Sequence, residues 1–546
     1  MNIASRTLAA PICALTLLAA TPPLANAAPD TPDTPNTPNT PDTWWKDAVF
    51  YEIFVRSFAD STTGPLANDG VGDLRGIIEN LDYLNDADPT TTQDLGVTAL
   101  WLMPIAESPS YHGYDVVDYT SVDTEYGTAE DFRELVEACH ARGIRVIVDT
   151  VINHASVEHP WFQQSIDPNS PKHDWFVWVD TPPTGPGAPQ HTVWHDKYRD
   201  RNGQYFYGFF WSGMPDFNLR NPEATEAVYD FSRFWLTDMN ADGLRLDAIK
   251  HLIEDGVIFE NTPETLDWLR GYNAAMHEAK PDAFIVGEVW ADIPTIARFM
   301  DGCVDSAFAF PLADAIVDSL NNANAKIFRK AIKETVKTSL FPRLSTFIGN
   351  HDMDRVLNRL GGSRERAAAA ATILLTLPGI PFIYYGEEIG MHGAKPDPEL
   401  RTPMQWTPDP ETAGFTNGQP WHQPNADTST VNVEAESADE HSLLNLYRNL
   451  IRLRNTHPAL STGNFQLIFG GHDAVVAWVR ETENQKLLVI VNLSSSPVAD
   501  YRISGVSGMP VRELLHNRGV TTKVGYPILE LKPYTGYVIE LMDNRR

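Results

Sequence analysis

From Trp44 onward, short runs of apolar, β-branched and aromatic residues alternate with longer stretches whose apolar positions recur every three to four residues. The short runs predict strands at Val49–Phe54, Val97–Met103, Ile144–Asp149, Gly243–Asp247, Phe284–Glu288, Asp305–Phe308, Ser345–Asn350 and Pro381–Tyr385. The longer runs predict helices at Leu74–Leu84, Ala129–Ala141, Pro222–Thr237, Pro263–Ala279, Ala313–Thr338, Arg364–Leu377 and Ser442–Asn455. Eight strand–helix units predict an α/β fold, a (β/α)8 TIM barrel with parallel strands inside and helices outside.

Residues 154–216 interrupt this rhythm between the third strand and its helix, and are rich in His, Trp, Pro and Gly. A structureless loop of that length is unusual, so the stretch reads as an inserted domain, dividing the barrel into residues 44–153 and 217–457. After about Pro458 the pattern turns strand-like at Phe465–Phe469, Ala474–Arg480, Lys486–Asn492 and Tyr537–Leu541, which predicts a C-terminal antiparallel β-sandwich domain over residues 458–546. Ahead of the barrel, Arg6, the apolar run Leu8 to Ala20 and Ala25-Asn26-Ala27 make residues 1–27 read as a secretory signal peptide. A Thr/Pro-rich disordered linker follows over residues 28–43. The apolar run is too short to span a bilayer permanently, so the mature chain is expected to be secreted or periplasmic, with no membrane partner.

Charge narrows the class of partner. Lys plus Arg total 42 against 72 Asp plus Glu, a formal net charge of -30, which repels nucleic acid and anionic membranes and suits a neutral substrate. Fourteen Trp and eighteen Tyr offer ring faces for sugars, although most belong to the core. Cys139 and Cys303 sit in apolar surroundings and read as two buried thiols rather than a disulfide; no Cys spacing suits a metal.

The chemistry lies at predicted strand ends. In Gly243-Leu244-Arg245-Leu246-Asp247, alternation sends Arg245 and Asp247 to one face and the leucines to the helix layer. The third strand ends Asp149-Thr150-Val151-Ile152-Asn153-His154, the fifth Gly287-Glu288-Val289-Trp290, and the seventh runs into Gly349-Asn350-His351-Asp352. Barrel closure would bring Asp247, Glu288 and Asp352 to one mouth, where barrel enzymes keep their chemistry. Three acids there suit glycoside hydrolysis with retention: a nucleophilic carboxylate, a second that is acid and then base, and a third that raises its neighbour's pKa.

These four segments resemble the α-amylase family of glycoside hydrolases, with the match running from about Trp44 to the C-terminus. The resemblance implies that Asp247 is the nucleophile, Glu288 the general acid/base and Asp352 the transition-state stabiliser. It places Arg245, His154, His351 and the stacking Tyr114, within Tyr111-His112-Gly113-Tyr114-Asp115, around the attacked sugar, with Trp290 alongside. Lys250-His251 and Tyr111-His112 resemble α-amylases, whereas Arg401-Thr402-Pro403-Met404-Gln405-Trp406 resembles the oligo-1,6-glucosidase branch, and Met214-Pro215-Asp216-Phe217-Asn218 lies between that branch and neopullulanases. The implied activity is endo-hydrolysis of α-1,4 bonds in starch and maltooligosaccharides by a monomer, with some transglycosylation. Alternatives are an exo-acting α-glucosidase, an oligo-1,6-glucosidase, a glucan-transferring enzyme, or, in another class, a non-catalytic carbohydrate-binding relative.

Calcium is the expected metal. Asp60 and Asp69-Gly70-Val71-Gly72-Asp73 alternate oxygens around a glycine turn, with Asp60, Asp69, Val71 and Asp73 as candidate ligands. By resemblance, a second candidate is Asn153, Asp216 and the main-chain carbonyl of His251.

Overall fold

The computed structural model describes residues 43–185, 189–469, 471–499, 501, 506, 509–516 and 530–542. The expected signal peptide, with Cys13, and nearly all of the expected linker lie outside the described residues.

The eight barrel strands are β1 (Phe50–Ile53), β2 (Ala99–Leu102), β3 (Arg145–Thr150), β4 (Gly243–Leu246), β5 (Phe284–Gly287), β6 (Ser306–Ala307), β7 (Ser345–Thr346) and β8 (Ile380–Tyr384). They pair in parallel in the order β6-β5-β4-β3-β2-β1-β8-β7. A parallel bridge from Phe308 to Ser345, with the Ala309 amide donating to the Ser345 carbonyl at 2.9 Å, closes the ring. Alternation divides the side chains as expected. Phe50, Ala99, Trp101, Ile147, Phe284, Val286, Phe308 and Phe382 fill the lumen, with Phe50 stacked on Phe382 at 4.3 Å. Leu244 and Leu246 join the outer core under the helices.

Most helices begin where a side chain accepts from a free amide. Thr128 and Asp131 form a capping box, and Asn221 and Thr262 each cap a helix that carries proline in its first turn. Two expected helices are broken. The stretch Leu74–Leu84 divides at Asn80 into Leu74–Glu79 and Leu81–Leu84, and the Asn80 amide turns back to the Gly76 carbonyl at 2.8 Å. The stretch Ala313–Thr338 is the two helices Phe310–Asn321 and Ala325–Lys337, because Asn322-Ala323-Asn324 turns with Ala323 at φ 48° and Asn324 caps the second helix.

The insert holds short helices and a three-stranded sheet of Trp178–Val179, Tyr205–Tyr207 and Trp194–His195. An antiparallel bridge between His154 and Asp216 ties its two ends. At the C-terminus, β9 (Asn464–Ile468), β10 (Val475–Glu481), β11 (Lys486–Asn492), β12 (Met509–His516) and β13 (Gly536–Met542) form one antiparallel sheet in the order β9-β10-β11-β13-β12. A separate ribbon of Val498–Ala499 and Glu530–Leu531 accompanies it. One face of this sheet, through Val476, Trp478, Leu487, Val489 and Val538, joins the main core. Helix Arg364–Thr376, buried around its circumference from Ala367 onward, lies where sheet and barrel meet. Cys139 and Cys303 are buried free thiols. Among the described residues, no helix is long and apolar enough to cross a membrane.

Candidate active site at the barrel mouth

Register places the first ion pair. Pairing of β3 with β4 sets Asp149 beside Arg245, and Asp149 offers both oxygens, at 2.9 and 3.0 Å, to one guanidinium nitrogen. The same nitrogen donates to Asp247 Oδ1 at 2.8 Å, and the other terminal nitrogen to Glu288 Oε2 at 2.8 Å. One fully buried arginine, lying over the Trp101 ring at 5.1 Å, therefore serves three carboxylates. Immediately after Asp247, Ala248 takes a left-handed conformation with φ 50°, uncommon for a residue with a side chain. Its amide donates to Glu288 Oε2 at 3.2 Å, so the turn that ends β4 is held by the neighbouring carboxylate.

Asp352 enters from the far side of the barrel. Arg401 donates to its Oδ1 at 3.0 Å, and His351 Nε2 lies 3.2 Å from its Oδ2. The other nitrogen of His351 meets the buried Glu52 of β1 at 2.5 Å. Tyr114 links the two groups, with its hydroxyl 2.6 Å from His351 Nε2 and donating to Asp149 at 3.1 Å.

These surroundings spread the acidities. Burial, aided by the Asp247 and Asp352 charges and opposed by Arg245, raises Glu288 to about 7. Burial raises Asp247 to about 6, with Arg245 opposing and Asp149 and Asp352 adding. Asp352 is buried too, but His351 and Arg401 overcome this and hold it far below the usual carboxylate range. Asp352 and Glu52 in turn overcome the burial of His351 and lift it to about 9. At neutral pH the site therefore holds one fixed anion, one carboxyl poised to carry a proton and a third that ionises first.

Two cavities meet over these carboxylates. One, of about 280 Å³, is lined by His112, Tyr114, His154, Phe210, Asp397 and Arg401 among others. The second, of about 410 Å³, is lined by Phe210, Lys250, His251, Phe259, Glu288 and Trp290 among others. Asp247 and Asp352 face both. Lys250 donates to the Trp290 carbonyl at 3.2 Å and pairs with Glu260 at 2.8 Å. Burial drops His154 to about 3 and His251 to about 4, so both are neutral.

Several candidates lie elsewhere than expected. Arg245 and His351 line neither cavity; with 1% and 0% exposure they lie beneath the surface and hold the carboxylates. Tyr111 is absent from both cavity walls and stacks on Trp421 at 5.8 Å. Asp115 is buried and accepts from the Ser108 and Ser110 hydroxyls, a structural task. Glu52, Asp397 and Phe210 were not singled out from sequence, and Asp149, quoted at the end of the third strand, was given no role. For Glu52 and Asp149 the signal was a lone acid within an apolar strand.

The calcium candidates differ from one another. In the first loop, Asp60 accepts from the Asn68 and Gly70 amides, and Asp73 from the Ser61 and Gly76 amides. Asp69 is exposed and accepts from the Val71 amide, so main-chain donors already occupy this loop's acids. At the insert junction, the Asn153 amide nitrogen donates to the buried Asp216 at 3.1 Å, while Asn153 Oδ1 is buried with no partner. Burial holds Asp216 well above the usual carboxylate range. An orphaned oxygen beside a buried acid fits a hard cation. Among the described residues, no group of three or more His, Cys, Asp or Glu side chains is placed to hold a metal.

Comparison with known proteins agrees with this geometry. Residues 52–463 match the family model described as alpha amylase, catalytic domain. The chain is 37% identical over 509 residues to alpha-amylase 3 of Dictyoglomus thermophilum, covering 92% of this chain and 94% of that protein. It is 31% identical over 534 residues to the oligo-1,6-glucosidase of Heyndrickxia coagulans, covering 84% and 93%. Among solved structures, an α-amylase from H. orenii aligns with a TM-score of 0.79 at 39% identity, covering 91% of this chain and all of that one. With its eight-stranded barrel, its three carboxylates at the mouth and these relatives, the chain belongs to the α-amylase family and is a glycoside hydrolase.

Proposed function

We propose that the protein is a retaining, endo-acting α-amylase that cleaves α-1,4-glucosidic bonds in starch and maltooligosaccharides. Glu288 protonates the leaving glycosidic oxygen while Asp247 attacks the anomeric carbon, giving a glycosyl ester. Water, deprotonated by Glu288, then breaks that ester. Asp352, held ionised, stabilises the positive charge that develops on the sugar, and Tyr114 supplies a ring to stack on it.

The observation that supports this most directly is the shared guanidinium of Arg245. One arginine donating to both Asp247 and Glu288 keeps the pair close, as direct attack requires, and leaves Glu288 the more basic of the two. Cavities on both sides of the carboxylates favour internal cleavage of a chain. The test is a product profile on soluble starch, maltoheptaose, isomaltose and a nitrophenyl α-glucoside. Rapid loss of starch viscosity with mixed short maltooligosaccharides supports the proposal. Glucose alone from short substrates, with starch nearly untouched, replaces it with an exo-acting α-glucosidase or oligo-1,6-glucosidase.

The second cavity favours a side activity, transfer of the glycosyl group to another sugar, because Phe210, Phe259 and Trp290 give it aromatic walls. Calcium belongs to the proposal through Asn153 and Asp216, with the His251 carbonyl as third ligand by family resemblance. Bound there it would fasten the insert to the barrel. We place the enzyme outside the cytoplasm on the signal-like residues 1–27, and propose that it acts as a monomer. Purified mature protein should then begin at Ala28 and elute at monomer mass.

A further inference from the structure

We propose that Phe210 decides whether the sugar carried by Asp247 passes to water or to a second sugar. The inference rests on the function proposed above and adds to it a residue from the insert.

Phe210, Asp247 and Asp352 are the residues common to both cavity walls. Two are carboxylates of the reaction; the third is an aromatic ring at the junction where the scissile bond must lie. Phe210 is 41% exposed, while Phe206, Tyr207 and Phe217 around it are buried. Trp211 in the wall of the first cavity and Trp290 in that of the second are open as well, so the mouth carries several exposed aromatic rings rather than a lone one, which marks a surface built for a ligand.

The ring is held in place. It stands edge-on to His154 at 5.1 Å, to His251 at 6.1 Å and to Phe209 at 5.2 Å. Phe209 stacks on His251 at 3.8 Å, and its amide donates to Asp216 at 3.1 Å. The Gly208 amide donates to the Val193 carbonyl at 2.9 Å, and the Met214 amide to the Trp211 carbonyl at 3.1 Å, so the turn presenting Phe210 is fastened on both sides. The second cavity also contains Trp290, 45% exposed and stacked on Phe310 at 4.6 Å.

An acceptor for the glycosyl ester approaches through this second cavity. A pyranose carries apolar C–H faces that pack on aromatic rings and displace water from them; a water molecule gains nothing from such a surface. Both acceptors undergo the same step. The bond between Asp247 and the anomeric carbon breaks, a bond from the acceptor oxygen to that carbon forms, and the acceptor's hydroxyl proton passes to Glu288. Phe210 touches neither bond. It acts on selectivity by raising the occupancy of a sugar acceptor and excluding water beside the ester.

The experiment uses the full chain with α-maltotriosyl fluoride as donor and maltose as added acceptor. Fluoride leaves without a sugar in the second cavity, so its release reports that the glycosyl ester has formed. The ratio of lengthened oligosaccharide to maltotriose reports how the ester is partitioned. Phe210→Ala should lower the ratio about tenfold at fixed maltose, and the ratio, as a partition of one ester between two acceptors, reads selectivity whatever the rate at which that ester forms. Phe210→Trp should restore the ratio. An unchanged ratio in Phe210→Ala, a ratio that Phe210→Trp fails to restore, or no transfer product from the parent enzyme would overturn the inference and leave the hydrolase reading standing. A parent enzyme that releases no fluoride would sink both.

Discussion

Asp149 and Arg245 lie side by side on neighbouring barrel strands, and both oxygens of Asp149 bond to a single nitrogen of the arginine. Asp149 thus takes part of a charge that Asp247 and Glu288 also need, and its own charge helps raise Asp247. Replacing it by Asn leaves the shape and removes the charge. Asp149→Asn should move the acid limb of the kcat/KM profile to lower pH, because Asp247 ionises more readily beside an undivided arginine. It should also lower stability by roughly 2 kcal/mol or more, since a buried charge loses a partner. An acid limb that stays in place would rule out this coupling.

The pH profile of the parent enzyme follows from the same groups. Asp247 must be ionised to attack, and Glu288 must be protonated to assist departure. Activity should rise as Asp247 loses its proton near pH 6 and fall as Glu288 loses its own near pH 7, giving a narrow bell between. Glu288→Gln should remove the alkaline limb from whatever activity remains. Steady-state kcat/KM across pH 4 to 9 checks both statements.

Stability should carry a separate pH signature from His351. Its folded pKa of about 9 lies above its ordinary 6.5, so protonation favours the folded state. That contribution is complete below pH 6.5 and is lost as the pH rises through about 9. Melting temperature should therefore decline across this window, and His351→Gln should be less stable but flatter over it. An equal slope in both proteins would show that another group is responsible.

Arg454 is fully buried and donates to the carbonyls of Leu375, Leu377 and Gly379, where helix Arg364–Thr376 ends. Arg454→Ala strands three buried acceptors and should cost at least about 3 kcal/mol in urea unfolding. Because these contacts lie just before the N-terminal end of β8, opposite the mouth, and serve only the backbone, kcat at low temperature should be little changed.

Calcium removal is the remaining test. Chelation should lower the melting temperature and activity of the parent, and Asn153→Ala should lower the melting temperature and weaken its response to chelator. If chelator leaves both properties of the parent unchanged, the calcium assignment fails.

Much of this architecture was legible in the chain because alternation in short strands is a local property. Arg245 and Asp247 point inward, and Leu244 and Leu246 outward, for the reason their spacing suggested. What sequence hid was long-range partnership. Glu52 stands alone in an apolar run, and nothing nearby says that His351, 299 residues later, is its partner. Strand β12 escaped notice because its register shifts at Pro510/Arg512 and Glu513/Leu515, which breaks the alternation that reveals a strand. Phe210 sits in a run of aromatics that reads as core; only tertiary packing left its ring open.

The bridge between His154 and Asp216 has a consequence for how such enzymes diversify. The chain leaves the barrel and re-enters it at touching positions, so the segment between them is a self-contained cassette whose length hardly strains the frame. That cassette carries Phe210 and Trp211 to the cleft while the barrel carries the acids. Rewriting the cassette can therefore retune what the enzyme accepts without disturbing how it breaks a bond.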